Sequence, residues 1–316
     1  MNIGLDAMGG DFAPDSTIQG AIEAIQVFKD TDSIFLFGDE KLIRSKLEDY
    51  KADPDSFTIV HAPEHIGMGE HPLKAFSRKP QSSIATGFKW LKSNYIDVFA
   101  SAGNSGALIV GSMYTINTIP SIIRPCTSVL IPKENGGVSI LLDVGTNPDP
   151  KPDVMYQFGV LGSIYAKEVF EIPDPKVGLL NIGEEEEKGN LLTQHTYQLM
   201  KDSTDFNFTG NVEARDILSG ETHVIVCDGF TGNVVLKQVE AMYRLMKKRK
   251  LMDEYIERFN YENYGGTPIL GINGSVVLGH GISSPLAIKN MLVLSKDIVE
   301  AKLYQKIQNA FNSYPH

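Results

Sequence analysis

The chain has 316 residues, enough for two average domains or for one large α/β unit with a substantial core. Hydrophobic residues make up 42% and charged residues 22%, ordinary globular values that exclude disorder, a collagen-like repeat and a coiled-coil rod. With 39 Asp and Glu against 29 Lys and Arg the net charge is -10, which excludes a general nucleic-acid binder and demands a local basic patch for any anionic partner.

In chain order, short runs rich in Ile, Val, Leu and Phe predict strands over 3–7, 33–37, 57–61, 98–101, 127–131, 138–144, 176–182, 223–227 and 276–278. Each ends in a glycine-containing turn. Apolar residues at helical spacing predict helices over 15–29, 40–47, 105–117, 153–170, 191–201 and 297–312. Strands alternating with helices describe β-α units around a parallel sheet, hence an α/β sandwich. No repeat, low-complexity tract or long linker interrupts residues 1–316, so a single compact unit is expected.

Two cysteines, Cys126 and Cys227, lie far apart and outside any C-x-x-C spacing, so a disulfide framework and a zinc-cysteine site are not expected. The start of the chain lacks a basic, apolar export signal, and its apolar runs fall far short of the ~20 residues of a membrane span. A cytoplasmic location with at most peripheral membrane contact is the expectation. Between 234 and 262, Val235, Val239, Met242, Met246, Met252, Tyr255, Ile256 and Phe259 mark an amphipathic helix or helical pair. Its middle carries Arg244, Lys247, Lys248, Arg249 and Lys250, a solvated face by spacing alone.

Ligands of open parallel sheets bind outside the carboxyl ends of strands, and five such turns here are rich in small and polar residues. They are Asp6-Ala7-Met8-Gly9-Gly10-Asp11, Ser101-Ala102-Gly103-Asn104-Ser105-Gly106, Asp143-Val144-Gly145-Thr146-Asn147, the stretch 181–190, and Asp228-Gly229-Phe230-Thr231-Gly232-Asn233. Glycine permits close backbone approach, and helix-start amides attract anions, so the set suits phosphate or a developing oxyanion; capping alone accounts for any one of them. Neither the dinucleotide fingerprint nor the Walker pattern is completed, and four consecutive glutamates at 184–187 oppose a nucleotide. Gly103-Asn104-Ser105-Gly106 is one residue short of a hydrolase elbow, Cys227 reads as a buried apolar residue, and His61, His65, His71 and His280 show no metal-ligand spacing.

Taken together, the turns at 6–11, 101–107 and 228–233, with Gly210-Asn211-Val212-Glu213-Ala214-Arg215-Asp216, Leu142-Asp143-Val144-Gly145, Gly178-Leu179-Leu180-Asn181-Ile182-Gly183 and Asn263-Tyr264-Gly265-Gly266, resemble the PlsX family of phosphate acyltransferases. The ordered set runs nearly end to end. The resemblance implies a homodimer with a mostly parallel α/β/α sandwich like that of the isocitrate dehydrogenase and phosphotransacetylase group. It implies transfer of a fatty acyl group from acyl carrier protein to inorganic phosphate, whose product feeds a membrane glycerol-3-phosphate acyltransferase at the start of bacterial phospholipid synthesis. One stretch departs: between Phe230 and Asn263 the family carries a longer, projecting helical hairpin, and this chain is shorter by about a hairpin's turn.

Phosphate attack on a thioester needs a held dianion and oxyanion donors but no nucleophilic side chain, and no cofactor or metal is expected. In that setting Lys188 is the expected phosphate cation, its alternative being a surface partner of Glu184. Asn233, with the amides of Thr231 and Gly232, is expected to hold phosphate or oxyanion. Further expected contacts are Asn104 and Ser105 as donors beside Gly106, Asp6, Gly9 and Gly10 as a close-approach loop, Arg78 or Lys79 as anion partners, and His280 either as proton donor to the thiolate or as a hydrogen-bonded structural residue. The basic run from Arg244 to Lys250 becomes a docking surface for acyl carrier protein or an acidic membrane. Competing readings are a coenzyme A-dependent phosphotransacetylase and a non-catalytic scaffold that binds acyl carrier protein.

Overall fold

The computed structural model describes residues 1–29 and 31–312. Their contacts divide the chain into two compact units, Met1–Ile119 with Tyr261–Tyr304, and Pro120–Asn260 with the segment from Gln305 onward. No compositional linker announces this division, because each unit is assembled from separated stretches of chain.

The first unit opens with β1 (Asn2–Asp6), α1 (Asp15–Ile25), β2 (Ser33–Gly38), α2 (Glu40–Asp49), β3 (Thr58–His61), α3 (Pro72–Arg78), α4 (Ser83–Lys92), β4 (Val98–Ser101) and α5 (Ser105–Gly111), which continues as a π-helical turn over Ser112–Ile116. The second contains β5 (Ser128–Pro132), β6 (Val138–Leu142), α6 (Pro152–Val169), β7 (Lys176–Asn181), α7 (Leu191–Met200), β8 (Asn207–Glu213), β9 (Val224–Val226), α8 (Gly229–Arg249) and α9 (Glu254–Glu257). The chain then returns to the first unit for β10 (Gly266–Pro268), β11 (Ser275–Gly279) and α10 (Pro285–Glu300), and ends in α11 (Leu303–Asn312).

The first unit's six-stranded sheet has the order β10-β11-β4-β1-β2-β3, parallel except for the edge strand β10. Side chains alternate across a strand, so Gly4 faces the aromatic cluster while its neighbours Ile3 and Leu5 face away from it. A Cβ on Gly4 would stand 3.0 Å from Phe37 and 3.3 Å from Phe99. Phe99 meets Phe37 and Phe88 edge-on, with centroids 5.7 and 5.4 Å apart, and α4 brings Phe88 there. Each such pair adds about 0.5–1.5 kcal/mol beyond area burial. On the other face, α1 and α10 pack closely, since a Cβ on Gly20 would lie 2.5 Å from the Cβ of Ile288.

The second unit's five strands run β5-β6-β9-β7-β8, parallel except for β5. Helix α6 lies tight on the sheet where a Cβ on Gly162 would be 2.5 Å from Val224. A separate cluster of Ile131, Leu141, Leu180, Ile225 and Cys227 receives Val235 from α8 and Phe259 beyond α9. Both units are thus mostly parallel α/β structures, as expected.

All nine expected strands are present within a few residues, and β8 and β10 are additional. Strand β8 is a partly polar edge with a positive φ at Gly210, and its register shifts opposite Val177 and Leu179, so it carries no apolar run to read. Helices α3 and α4 are likewise additional. The helix expected over 297–312 is two: α10 already begins at Pro285 behind the cap Ser284, and the chain breaks at Lys302 in the left-handed region before α11. Among the described residues no helix is long and apolar enough to cross a membrane.

Candidate active site

In the second unit the chain crosses from β6 to β7, moves outward to β8, then reverses and inserts β9 between β6 and β7. The turns after β6, β9 and β7 therefore lie side by side at the carboxyl edge, the switch-point position where open α/β sheets bind ligands. Asn233 follows β9 and Lys188 follows β7, so these two expected residues rise from hydrogen-bonded neighbours.

The β9 turn begins α8. Asp228 is its N-cap: Oδ1 accepts from the Thr231 amide at 2.8 Å and Oδ2 from the Thr231 hydroxyl at 2.7 Å. The Gly232 amide donates to the Asp228 carbonyl at 2.9 Å. This corrects one expectation: the amides of Thr231 and Gly232 are spent within the cap, and the polar group this turn presents outward is the exposed Asn233. A Cβ on Gly145, at φ +88°, would lie 3.7 Å from Asn233 Oδ1, placing the Asn233 side chain directly against the β6 turn.

That turn is held by Asp143, which is fully buried. Its Oδ1 accepts from the amides of Thr127 at 3.0 Å and Val144 at 2.8 Å. Its Oδ2 accepts from the backbone amide of Asn147 at 2.5 Å and from Asn147 Nδ2 at 3.0 Å. Burial raises the carboxyl's pKa, opposed by these donors. The turn is then laced to the next one, since the Gly145 amide donates to the Gly229 carbonyl at 2.9 Å and the Gly229 amide to the Asn147 carbonyl at 2.8 Å.

The β7 turn is an irregular loop, so Lys188 does not pair with Glu184 as a helix would allow. Its ammonium lies 4.0 Å from Glu185 Oε2, with the side chain 45% exposed. Two asparagines hold the loop: Asn181 Nδ2 donates to the Lys188 carbonyl and to Asn211 Oδ1, both at 3.1 Å, and Asn211 Nδ2 donates to the Glu185 carbonyl at 2.8 Å. Gly189 at φ +94° has no room for a side chain beside Asn181 and Thr193. Asn181, Asn211, Asp143 and Asn147 were not singled out from the sequence. The signal for Asn181, Asp143 and Asn147 is a polar residue ending or closely following an apolar strand within the quoted motifs, whereas Asn211 lies inside the partly polar β8 and is marked only by its place in the 210–216 motif.

The first unit has its own switch point between β1 and β4, because β2 and β3 follow β1 to one side and β4 lies on the other. There Asp6, buried and raised in pKa by that burial, accepts from Ser101 Oγ at 2.7 Å and the Met8 amide at 3.1 Å. Ser101 Oγ in turn accepts from the Gly103 amide at 3.0 Å. Gly9 sits where a Cβ would be 2.4 Å from Asp6 Oδ2, and Gly10, at φ +110°, nears the Gly281 carbonyl, which accepts from the Asp11 amide at 2.7 Å.

Several expected ligand contacts in this unit have other work. Asn104 caps α5 through the Ala107 amide at 3.0 Å, and its Nδ2 donates to the carbonyls of Gly67, Met68 and Glu70 at 3.1, 3.2 and 3.0 Å, so its amide is used to hold the 67–70 turn. Ser105 is exposed at the helix start, and Gly106 admits Pro72, whose Cγ would be 2.3 Å from a Cβ there. Lys79 is paired with Glu70 at 2.5 Å and donates to the His65 carbonyl at 2.9 Å, while Arg78 is exposed in the last turn of α3. Half-buried His280 accepts from the Ile282 amide at 3.3 Å, and its ring lies tilted beside that of Tyr261 with centroids 5.1 Å apart.

Cys126 and Cys227 are buried, and that burial pushes both thiols well above their usual pKa, which disfavours the thiolate form. Among the described residues no group of three or more His, Cys, Asp or Glu is placed to hold a metal. The basic run forms the last turns of α8, where Lys247 lies 5.7 Å from the Tyr243 ring centroid and Arg244 lies 3.6 Å from Glu240. Lys248, Arg249 and Lys250 are exposed, and Lys250 ends the helix at φ 59°.

Residues 1–258 match the family model described as "Fatty acid synthesis protein". A protein from Dictyoglomus turgidum named phosphate acyltransferase is 41% identical over 332 aligned residues, covering 99% of this chain and 98% of its own. This chain belongs to the phosphate acyltransferase family. A second member, from Desulforamulus reducens, is 42% identical over 99% of this chain and 98% of its own. The chain is accordingly an acyltransferase. Solved structures agree on the fold: a phosphotransacetylase from Streptococcus pyogenes superposes with TM-score 0.64 at 17% identity over 94% of both chains. The EutD phosphotransacetylase from Staphylococcus aureus does so with 0.62 at 16% over 96% and 94%.

Proposed function

We propose that this phosphate acyltransferase takes a fatty acyl group from acyl carrier protein and delivers it to inorganic phosphate, forming the acyl phosphate used early in phospholipid synthesis. The observation that carries this reading is the side-by-side placement of the β7 and β9 turns, with a half-exposed lysine on one and an exposed asparagine on the other. Lys188 neutralises phosphate as it attacks the thioester carbon. Asn233 donates to phosphate or to the tetrahedral oxyanion, where fixed donors count most. The bond from phosphate oxygen to acyl carbon forms, the carbon–sulfur bond breaks, and the thiolate leaves to take a proton. Buried thiols support direct displacement without an acyl-enzyme. Exposed Ile182, Leu191 and Phe230, which stand in the same turns, support an apolar acyl chain as substrate.

The exposed cations at the end of α8 are the surface for the acidic carrier protein or an acidic membrane face, and the enzyme works as a cytoplasmic homodimer beside a glycerol-3-phosphate acyltransferase. Incubation with long-chain acyl carrier protein and phosphate should give phosphate-dependent acyl phosphate by mass spectrometry. Turnover with acyl coenzyme A alone would replace the donor, and binding without product would make the protein a scaffold. Lys188→Ala and Asn233→Ala should each lower kcat by roughly 10²–10³ with the fold retained; near-normal rates in both would refute these roles.

A further inference from the structure

We infer that Asp143 is a positioning residue for phosphate capture, acting through the β6 turn on Asn233. Its four N–H donors saturate a carboxylate, which offers about four acceptor sites, and all four belong to Thr127, Val144 and Asn147. Three of them are backbone amides, so the charge fixes the path of the turn itself. From there the coupling is backbone to backbone. Gly145 donates to Gly229, Gly229 donates to Asn147, and the Gly232 backbone passes so close that a Cβ there would be 2.0 Å from the Asp143 carbonyl oxygen. Gly145 lies beside the Asn233 side chain, since a Cβ added there would be 3.7 Å from Asn233 Oδ1. The carboxylate thereby sets where the Asn233 amide points without touching substrate. The inference rests on the proposed role of Asn233 and adds the part that aims it.

Asp143→Asn keeps the shape but turns one acceptor oxygen into a donor. Whichever oxygen is replaced, two N–H groups lose their acceptor and the turn must move. The expected result is a phosphate KM raised roughly ten- to a hundred-fold, with the KM for the thioester donor unchanged, as displacement by an ångström or so of a positioned group costs that much. Asn147→Ala, which keeps the carboxylate and removes one side-chain donor, should raise the phosphate KM by a smaller factor in the same direction. It serves as the test if Asp143→Asn fails to fold. A phosphate KM equal to wild type in the folded variants, with only the melting temperature lowered, would overturn the inference while leaving the proposed function intact. Failure of the wild-type protein itself to form acyl phosphate would overturn that function instead. In that case titration of wild type and variants with inorganic phosphate, followed by calorimetry, still decides the matter: weakened phosphate binding in the variants upholds the role of Asp143, and equal binding refutes it.

Discussion

Each unit ends a central parallel strand in a buried aspartate, Asp6 on β1 and a residue just past β6 at Asp143, yet the two carboxyl groups are wired differently. Asp6 reaches its neighbouring strand through a side chain, the Ser101 hydroxyl, which then takes the Gly103 amide. Asp143 takes backbone amides directly, and its turn is joined to the neighbouring turn by reciprocal backbone bonds. A hydroxyl can rotate to suit either partner, whereas a backbone amide cannot. The difference teaches that a buried carboxyl at a strand end has no fixed meaning. In the first unit it stitches two turns with an adjustable link, and in the second it sets a rigid frame around a group presented to solvent.

Glycine substitutions should break this comparison most sharply. Gly232→Ala puts a Cβ 2.0 Å from the Asp143 carbonyl oxygen, a contact only backbone movement can relieve. We expect loss of roughly a hundred-fold in kcat/KM and of about 1–3 kcal/mol in stability, measured by acyl phosphate formation and urea unfolding. Gly9→Ala meets Asp6 Oδ2 first, at 2.4 Å, and also the Gly103 amide at 2.8 Å. If Gly9→Ala proved as damaging to activity as Gly232→Ala, the first unit's turn would be equally rigid and the contrast would fall. A middle-sized effect is expected from Ser101→Ala, which removes the link to Asp6 and should cost about 1–3 kcal/mol of stability by leaving buried groups unpaired, with the phosphate KM unmoved. An altered phosphate KM would place the Asp6 turn in phosphate binding.

The smallest effect is a pH dependence. Burial raises the pKa of Asp6 in the folded state, so folding favours its protonated form. Stability from this group is therefore lost as pH rises from the ordinary carboxylate value through the raised one, then levels. Across that window the stability of wild type relative to Asp6→Asn should decline in urea melts. A difference that grows with pH would mean that hydrogen bonds to the carboxylate outweigh its burial.

Much of this architecture can be read from the chain. The apolar runs at 33–37, 98–101 and 176–182 are strands because both faces of a parallel sheet are covered, and a continuous apolar run needs no partner to be recognised. Strand β8 was hidden because an edge strand can be polar and kinked at Gly210. The strand-end turns were legible as glycine-rich, polar sequence, but the hydrogen-bond balance within them was not. Asn104 reads as a donor until its amide is seen to hold three carbonyls, and the Thr231 amide reads as free until Asp228 takes it. Asp143 reads as one acidic residue among many, since saturation by Thr127 and Asn147 depends on residues up to 16 positions away.

The interrupted course of the first unit has a consequence for biosynthesis. Its strand β4 is flanked by β1, made early, and by β11, made only after the whole second sheet has been translated. As the chain leaves the ribosome, all five strands of the second sheet become available while β4 still presents an open edge, the kind of surface that pairs with foreign strands. A chain ended after residue 260 would stay in that state permanently, with its second sheet complete and its first lacking two strands. Such a fragment should aggregate through the first unit, and supplying residues 261–304 as a separate peptide should suppress that aggregation by closing the edge.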